Sequence, residues 1–314
     1  MKGVVVILFL LLLASLSGNI FLFQNSHHAR GTTSTLRKKY PLMSARGLNP
    51  RYPNDLLVNF LPLRQQIHKI VDPYADSFAI YFEYLPTGTT IGINEDHNFT
   101  AESLLKIPVV MAYLHKKERL GIKVDPTVKL LPSELNSKFG DLYKKGAGYQ
   151  INLSDAVKLA IQKSDNTASL VLADQISNDD FQFVYDGLDI PEMVEGKTPI
   201  ITAQEYSSVL KALYFGSVLS NDDSQYILSL MTNTDFHDLL PSGVPKDVPI
   251  AHKIGLVDGE IYEDCGIVYY PNRPYILCMV SKSDQKTARQ RMHDISKMVY
   301  DYVDSLQRSS MQGN

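Results

Sequence analysis

The amino-acid sequence predicts an α+β fold: an antiparallel sheet with the terminal helices packed on it, and a mostly helical second lobe. Two observations predict this fold. β-like runs joined by turns occur near both ends of the globular part, and the segments between them carry helical patterns. Two hairpins of this kind can join into one antiparallel sheet, with the terminal helices on one face. Residues distant in sequence can then converge in a cleft between the two lobes.

Each element is justified by its own pattern. Apolar residues at helical spacing predict a first helix over 56–71, although Pro62 falls in its middle. Apolar runs bounded by turn residues predict four strands, over 78–85, 90–93, 266–270 and 275–281. Helical periodicity predicts further helices over 104–119, 153–176, 204–214 and 287–306.

Composition places the chain among ordinary globular proteins. Its 314 residues are 44% hydrophobic and 21% charged, and the formal net charge is −3. This length suffices for a substantial core in one large or two small domains. A weakly acidic chain has no overall electrostatic footprint for nucleic acid, so we expect no nucleic-acid partner.

The N-terminus begins with an apolar segment long enough to span a bilayer. Residues 4–23 carry no charge, and about twenty apolar residues are needed for a membrane-spanning helix. The nearest cleavage-site candidate fits a signal peptide poorly, so an uncleaved anchor is favoured. The predicted organisation is an anchor or uncleaved signal at 1–23, a polar linker at 24–54, a globular domain at 55–308 and a tail at 309–314.

The chain has only two cysteines, Cys265 and Cys278, and both fall near the second predicted hairpin. The turn brings them near each other, and we expect diagonal rather than facing positions. Two buried thiols are therefore expected, while a disulfide stays open. Two cysteines form no metal-binding signature, and we expect neither a metal nor another cofactor.

The segment 103–106 has the pattern S-x-x-K at the predicted start of a helix. Ser103 and Lys106 are one turn apart on the same face, so the lysine amine can reach the serine hydroxyl. A neutral lysine can take the serine proton and produce a nucleophile for acyl transfer. The pattern alone is weak, because 208–211 and 283–286 share it. Ser103 differs from the other two serines because it follows a hairpin and opens an apolar helix.

Two further motifs follow along the chain. The motif S-D-N at 164–166 offers the Ser164 hydroxyl, which can relay a proton, and the Asn166 amide, which can hold a substrate carbonyl. The same residue types also favour helix caps and turns. The motif K-x-G at 253–255 would present a cation and an approachable backbone to the cleft.

Together the three motifs resemble those of the class A β-lactamases and penicillin-binding proteins. Their order is the family's order, and Ser103 and Ser164 lie 61 residues apart, close to the family's spacing. The resemblance covers about 56–306 and implies the β-lactamase/transpeptidase-like fold. It also implies a β-lactamase-like catalytic domain over 55–308, which hydrolyses the β-lactam amide bond through an acyl-enzyme on serine.

The resemblance assigns a role to each of the motif residues. Ser103 matches the acylated nucleophile, Lys106 its general-base partner, and Ser164 the proton relay. Asn166 matches the amide that orients the substrate.

Three more residues match the substrate-binding strand of the family. Lys253 and Gly255 match its cationic segment. The backbone amides of Ser103 and Leu256 match the oxyanion hole, whose donors point to where charge develops during acyl transfer.

The sequence departs from the family pattern in two places. Ile254 stands where the family has threonine or serine, so a hydroxyl for the substrate carboxylate is missing, and His252 is a neighbour that could compensate. The segment between the S-D-N and K-x-G motifs is also shorter than in a class A enzyme, within 179–199, where the family carries its deacylating glutamate. Glu192 and Glu195 are the only glutamates there, and we expect both to be solvated surface carboxylates.

The resemblance and these departures together leave three functions open. The first is a β-lactamase; the second is a penicillin-binding D-alanyl-D-alanine carboxypeptidase or transpeptidase acting on peptidoglycan stem peptides; the third is a non-catalytic cell-wall binding module. We expect a monomer that binds a β-lactam or a peptidoglycan peptide. We also expect residues 4–23 to anchor it in the cell membrane, with the catalytic domain extracytoplasmic. The basic residues after the anchor favour the opposite orientation by the positive-inside rule, but long domains are translocated largely regardless of charge.

Overall fold

The computed structural model describes residues 59–101, 103–190, 194–195, 198–257 and 259–312, with only the backbone described at 75–76, 194–195, 198–199 and 307–312. The predicted anchor at 1–23 and linker at 24–54 lie outside these residues. Within the described ranges, no helix has both the length and the apolar character required to cross a membrane.

Runs of strands and runs of helices follow one another along the described part of the chain. The strands are β1 (Phe78–Tyr84), β2 (Thr89–Ile93), β3 (Phe99–Thr100), β4 (Thr127–Lys129), β5 (Gln150–Asn152), β6 (Val194–Glu195), β7 (Thr198–Ile201), β8 (Ile250–Val257), β9 (Ile261–Val268) and β10 (Tyr275–Lys282). The α-helices are α1 (Leu61–Val71), α2 (Lys106–Arg119), α3 (Leu153–Gln162), α4 (Asn166–Ala173), α5 (Asn178–Leu188), α6 (Ala203–Phe215), α7 (Asn221–Met231) and α8 (Gln285–Gln312).

A five-stranded antiparallel sheet in the order β2-β1-β10-β9-β8 forms the central layer. Alternate side chains along each strand point to opposite faces, so the sheet separates two apolar clusters. The terminal helices α1 and α8 cover one face. The cluster between them and the sheet includes Leu63, Ile67, Ile80, Phe82, Ile254, Leu277, Met292 and Ile295. The predicted α+β class, with one antiparallel sheet under both terminal helices, is confirmed.

The helical lobe covers the other face of the sheet. Helix α6 lies on β1, β9 and β10, and α2 packs against α4 and α5. The cluster on this side joins the lobe to the sheet and includes Tyr81, Val110, Ala160, Val171, Leu210, Cys265 and Cys278. The strand β8 forms one edge of the sheet, and the turn at Ser103–Leu105 packs against it. The cleft therefore runs along β8.

Each predicted helix has somewhat different bounds in the structure, and two of the differences have a clear physical reason. The first begins at Leu61, so Pro62 lies in its first turn, where the missing amide hydrogen costs no helical hydrogen bond. The helix predicted over 153–176 is two helices, α3 and α4, separated by Lys163–Asp165. It breaks because Ser164 has a φ of 53° and the Asp165 side chain caps α4.

The prediction of diagonal cysteines is wrong, because Cys265 and Cys278 face each other directly on β9 and β10. Val268 pairs with Tyr275, so the loop between the strands contains six residues rather than the four-residue turn expected. Tyr269 lies beyond the β9–β10 ladder, and its amide donates to Pro249 O on the side of β8. Both cysteines are buried free thiols.

Candidate active site

Ser103 begins a single turn of 3₁₀-helix that leads directly into α2. Lys106 is the first residue of α2, and its Nζ donates to Ser103 Oγ at 2.9 Å. Ser103 is half-buried, whereas Lys106 is only 6% exposed. The S-x-x-K spacing therefore puts an amine in contact with a hydroxyl that can be reached from the cleft.

The S-D-N motif forms the tight turn between α3 and α4. Ser164 adopts the left-handed conformation, with a φ of 53°, which non-glycine residues rarely adopt outside constrained sites. The buried carboxylate of Asp165 holds the turn by accepting from the amide of Ala168 at 2.9 Å and from the amides of Asp141 and Leu142 at 2.8 Å. Asp165 therefore has the structural role in the motif. The sequence predicts a cap and a site for the motif but does not show which residue has which role.

Gly140 allows this turn to form. Its φ is 86°, and a Cβ at this position would lie 2.2 Å from Asp165 Oδ2. The preceding residue, Phe139, accepts at its carbonyl from the Asn166 amide at 3.0 Å. The segment before the glycine therefore buttresses the S-D-N turn from the side of the helical lobe.

Lys106 connects the first motif to the second. Its Nζ donates to Ser164 Oγ at 3.1 Å and to Asn166 Oδ1 at 2.6 Å, and it also contacts the Ser164 carbonyl oxygen. Asn166 Nδ2 donates in turn to Asn136 Oδ1 at 3.2 Å. The amide of Asn166 is therefore oriented on both sides before any substrate is bound.

Lys253 connects the third motif to the second. It lies on β8, is 1% exposed, and donates from Nζ to Ser164 Oγ at 2.8 Å and to Ile254 O at 3.0 Å. Burial and the neighbouring Lys106 both lower the pKa of Lys253 well below its usual value, while the carboxylates of Asp264 and Glu263 oppose this shift. The Ser164 hydroxyl thus lies between two lysine amines, an arrangement that can pass a proton in either direction.

Gly255 lies on β8 opposite Glu263 of β9. A Cβ on Gly255 would lie 1.9 Å from Glu263 Oε2, so the glycine accommodates a buried carboxylate of this chain. Leu256, half-buried, follows on the same strand opposite Tyr262. The proposed oxyanion role of the Leu256 and Ser103 amides stays a prediction.

The two remaining residues of the strand segment point away from the cleft. Ile254 is 3% exposed and belongs to the cluster under the terminal helices. His252 is buried as well, and its ring contacts Thr234 Oγ1 from Nε2 at 2.9 Å and Asp264 Oδ1 from Nδ1 at 2.8 Å. His252 therefore does not replace the missing hydroxyl at the cleft. Sequence reasoning missed Thr234 and Asp264, because neither lies near a recognised motif.

The other two S-x-x-K segments lie apart from this cluster. Lys211 pairs with Glu83 at 3.1 Å across α6 and β1. Ser283 precedes α8, where its hydroxyl contacts Ser281 Oγ at 2.8 Å. Neither serine has partners from the S-D-N or K-x-G motifs among its described hydrogen bonds.

The shortened segment, within 179–199, leads into a strand that pairs close to Ser103 in the chain. It passes through α5 and then forms the small hairpin of β6 and β7. Strand β7 pairs with β3, with Ile200 opposite Thr100, three residues before Ser103. Glu192 lies outside the described residues, and only the backbone of Glu195 is described, in β6. The prediction that both are surface carboxylates stays a prediction.

The fold and the meeting of a serine, two lysines and a second serine define a serine hydrolase of the β-lactamase type. A profile of the Beta-lactamase enzyme family matches residues 62–303, which is more than half of the chain. The chain belongs to that family.

Individual relatives are distant. Beta-lactamase 3 of Bacillus cereus is 24% identical over 238 residues, covering 70% of this chain and 74% of that protein. Among solved structures, PBP-A aligns with a TM-score of 0.71 at 23% identity, covering 78% of this chain and 97% of PBP-A. A β-lactamase from Sphaerobacter thermophilus aligns with a TM-score of 0.69 at 19% identity, covering 78% and 98% of the two chains. These structures share the fold.

Proposed function

We propose that the chain is a membrane-anchored, class A β-lactamase-like serine hydrolase that attacks the β-lactam amide bond and forms an ester on Ser103. The observation that carries the proposal is the continuous set of contacts from Ser103 Oγ through Lys106 Nζ and Ser164 Oγ to Lys253 Nζ. Such a set can remove a proton from the nucleophile and supply one to the leaving nitrogen.

In the acylation step, each proton that leaves one group is taken up by another. In the form of the site in which Lys106 is neutral, Ser103 Oγ attacks the carbonyl carbon of the ring while Lys106 accepts the hydroxyl proton. When the C–N bond breaks, Ser164 gives its hydroxyl proton to the ring nitrogen and recovers a proton from Lys106. The products are an ester on Ser103 and an opened ring with a protonated nitrogen. Backbone amides beside the carbonyl oxygen stabilise the developing negative charge.

Substrate binding falls to the residues around this relay. Asn166 is already held by Lys106 and Asn136 and presents its amide beside Ser103. A bound substrate carboxylate would favour the protonated form of Lys253, which then supplies a positive charge to it. Because Ile254 faces the core, the hydroxyl that assists this lysine in the family has no counterpart from that side chain. We therefore expect weaker recognition of the carboxylate than in a typical class A enzyme.

Hydrolysis of the ester is the step that the shortened segment limits. A positioned water needs a base, and the segment that would supply it leads into β7, which pairs with β3. A PBP-A mutant, with glutamate in place of a leucine, forms an acyl-enzyme complex with penicillin G. The ester proposed here is the same kind of species.

A second candidate is a penicillin-binding D-alanyl-D-alanine carboxypeptidase or transpeptidase. The short segment favours it, because an ester that water attacks slowly survives long enough to be intercepted by an amine or to block the enzyme. The likeness in fold to PBP-A is compatible with either candidate. In both cases the catalytic domain is proposed to lie outside the membrane, with residues 4–23 as the anchor.

The deciding experiment treats the full-length chain in detergent with a fluorescent penicillin and a chromogenic cephalosporin. Label that appears and decays while cephalosporin is consumed supports the β-lactamase. Stable label without turnover supports the penicillin-binding enzyme. The Ser103→Ala variant should lose the label, whereas Ser208→Ala and Ser283→Ala, which alter the same pattern elsewhere, should keep it. Absence of label from the folded wild-type chain would refute both enzymes and leave the binding module.

A further inference from the structure

The segment 232–240, between α7 and β8, contacts both walls of the cleft. On the side of the helical lobe, the Asp235 amide donates to Gln162 O at 3.3 Å, and the Asp235 carboxylate pairs with Lys163. Gln162 and Lys163 directly precede the S-D-N turn. On the side of the sheet, Thr234 binds the ring of His252. This segment is called the bridging segment below.

Phe236 makes the same connection with its side chain. Its ring centroid lies 5.9 Å from that of Phe139, whose carbonyl accepts from the backbone amide of Asn166. Lys253 Nζ lies 6.0 Å from the Phe236 ring centroid. The bridging segment therefore contacts the two elements whose side chains meet at Ser164 and Lys253.

A buried chain of three side chains fixes the bridging segment to the sheet. His252 Nδ1 lies 2.8 Å from Asp264 Oδ1, and the second oxygen of Asp264 accepts from the Leu240 amide at 2.9 Å. Because a carboxylate only accepts, Nδ1 carries a proton. In a neutral ring Nε2 then accepts the proton of Thr234, 2.9 Å away. Asp264 thus binds one end of the bridging segment directly and the other end through His252.

These three side chains have the order of a hydroxyl, an imidazole and a carboxylate, but they do not form a second reactive centre. Thr234 is 6%, His252 3% and Asp264 0% exposed, so no substrate reaches the hydroxyl. Gly266 faces His252 across the strands, and a Cβ there would lie 2.6 Å from the His252 Cβ. The space for the ring is thus provided by the sheet itself.

From this geometry we infer that Thr234, His252 and Asp264 are positioning residues for the acylation step. They hold the bridging segment so that the S-D-N turn and β8 keep Ser164 Oγ and Lys253 Nζ at 2.8 Å. The expected effect on the acylation rate rests on the proposed function. The expected effect on the position of the S-D-N turn and β8 rests on the hydrogen bonds alone. A relay displaced by a fraction of an ångström loses proton-transfer rate while leaving ground-state binding largely intact.

The test compares Thr234→Val, which keeps the shape but removes the hydroxyl, with Thr234→Ser, which keeps the hydroxyl. Thr232→Val is the matched control, because Thr232 lies in the same segment but bonds Ser229 O instead. We expect Thr234→Val to slow the first-order acylation step by roughly 10- to 100-fold with little change in the non-covalent dissociation constant of the penicillin. Thr234→Ser should recover most of the rate, and Thr232→Val should retain it.

A second measurement separates this inference from the proposed function. Amide hydrogen exchange of the full chain should speed up in Thr234→Val both at 163–166 and at 250–256, and in neither region in Thr232→Val. If the wild-type chain is not acylated at all, the proposed function fails and the exchange pattern alone decides the positioning role. Acylation of Thr234→Val at the wild-type rate, or exchange unchanged in both regions, would overturn the inference.

Discussion

Lys253 combines full burial with a position beside a second lysine, which is an expensive place for a positive charge. The sequence predicts that Lys253 lies at the cleft. It does not predict that Lys253 is buried, because the exposure of this side chain depends on residues from three separate elements. The lysine amine touches Ser164 and the carbonyl of its own neighbour, Ile254. Burial lowers its pKa first, and the charge of Lys106 lowers it further. The residue is thus arranged for function at the expense of stability.

This arrangement predicts a pH-dependent stability that Lys253→Met removes. Between the lowered pKa and about 10.4, the unfolded chain holds the Lys253 proton and the folded chain does not. The free energy of unfolding therefore rises with pH in that window, by about 1.4 kcal/mol per pH unit. We expect Lys253→Met to abolish this slope in urea unfolding, to be more stable at neutral pH, and to acylate poorly. Lys246→Met, at an exposed position, is the control. A slope unchanged in Lys253→Met would contradict the burial argument.

Gly255 makes a second prediction at the residue scale, because its missing side chain is replaced by the carboxylate of Glu263. Gly255→Ala should destabilise the protein by roughly 1–3 kcal/mol through overpacking of β8 against β9. In the Glu263→Ala background the same substitution should cost much less. A double-mutant cycle by chemical unfolding gives the coupling, which we expect to exceed about 1 kcal/mol. Additivity within about 0.5 kcal/mol would show that the two positions are independent.

At the scale of elements, the S-D-N turn shows what a sequence pattern conveys and what it does not. The residue types indicate both a cap and a site, and Asp165 and Ser164 take one role each. The break between α3 and α4 was missed because apolar residues keep their helical spacing on both sides of it. The left-handed conformation of Ser164 depends on Asp165 being held by the 140–142 segment. That contact joins positions more than twenty residues apart, which local periodicity does not reveal.

The cysteine pair shows the same limit for strands. Cys265 and Cys278 are predicted to lie near the second hairpin, but their facing register depends on where the hairpin ladder ends. The ladder between β9 and β10 ends at the pair of Val268 and Tyr275, and the Tyr269 amide bonds on the β8 side, to Pro249 O. The residues of the turn alone therefore do not determine the register.

The junction of α2 with α7 carries the next prediction. Asp223 lies in the first turn of α7, and burial together with a hydrogen bond to Glu118 raises its pKa to about 7. The folded chain keeps this proton between about pH 4 and pH 7 while the unfolded chain loses it, so stability falls as pH rises through that window. Asp223→Asn needs no proton for the same hydrogen bond. We expect it to be about 1–2 kcal/mol more stable at pH 8 and indistinguishable from wild type near pH 4. Lower stability at pH 8 would contradict the shared proton.

For the whole molecule, the order of hairpin, helical lobe and hairpin was sufficient to predict one sheet with a cleft beside it. The family resemblance predicts that Ser103, Lys106, Ser164 and Lys253 act together, and the structure brings them into contact. The bridging segment has no sequence signature, because its contacts with the S-D-N turn and with β8 join positions far apart in the chain. Residues that hold the elements of a site in place, without facing the site, form no recognisable sequence motif.

The last prediction concerns the rate at which the whole enzyme turns over. The groups proposed for acylation are assembled around Ser103, whereas the segment that would carry a deacylating base is short and leads into β7, which pairs with β3. General-base assistance contributes a factor of about 10² to 10⁴, so its loss makes hydrolysis of the ester the slow step. We expect a burst of chromogenic cephalosporin consumption equal to the enzyme concentration, followed by weak turnover, with the acyl-enzyme visible by mass spectrometry. Replacing Glu192 and Glu195 together with glutamine should leave the slow phase nearly unchanged, because surface carboxylates do not activate the water. Rapid turnover that collapses in either single variant would instead identify that glutamate as the deacylating base.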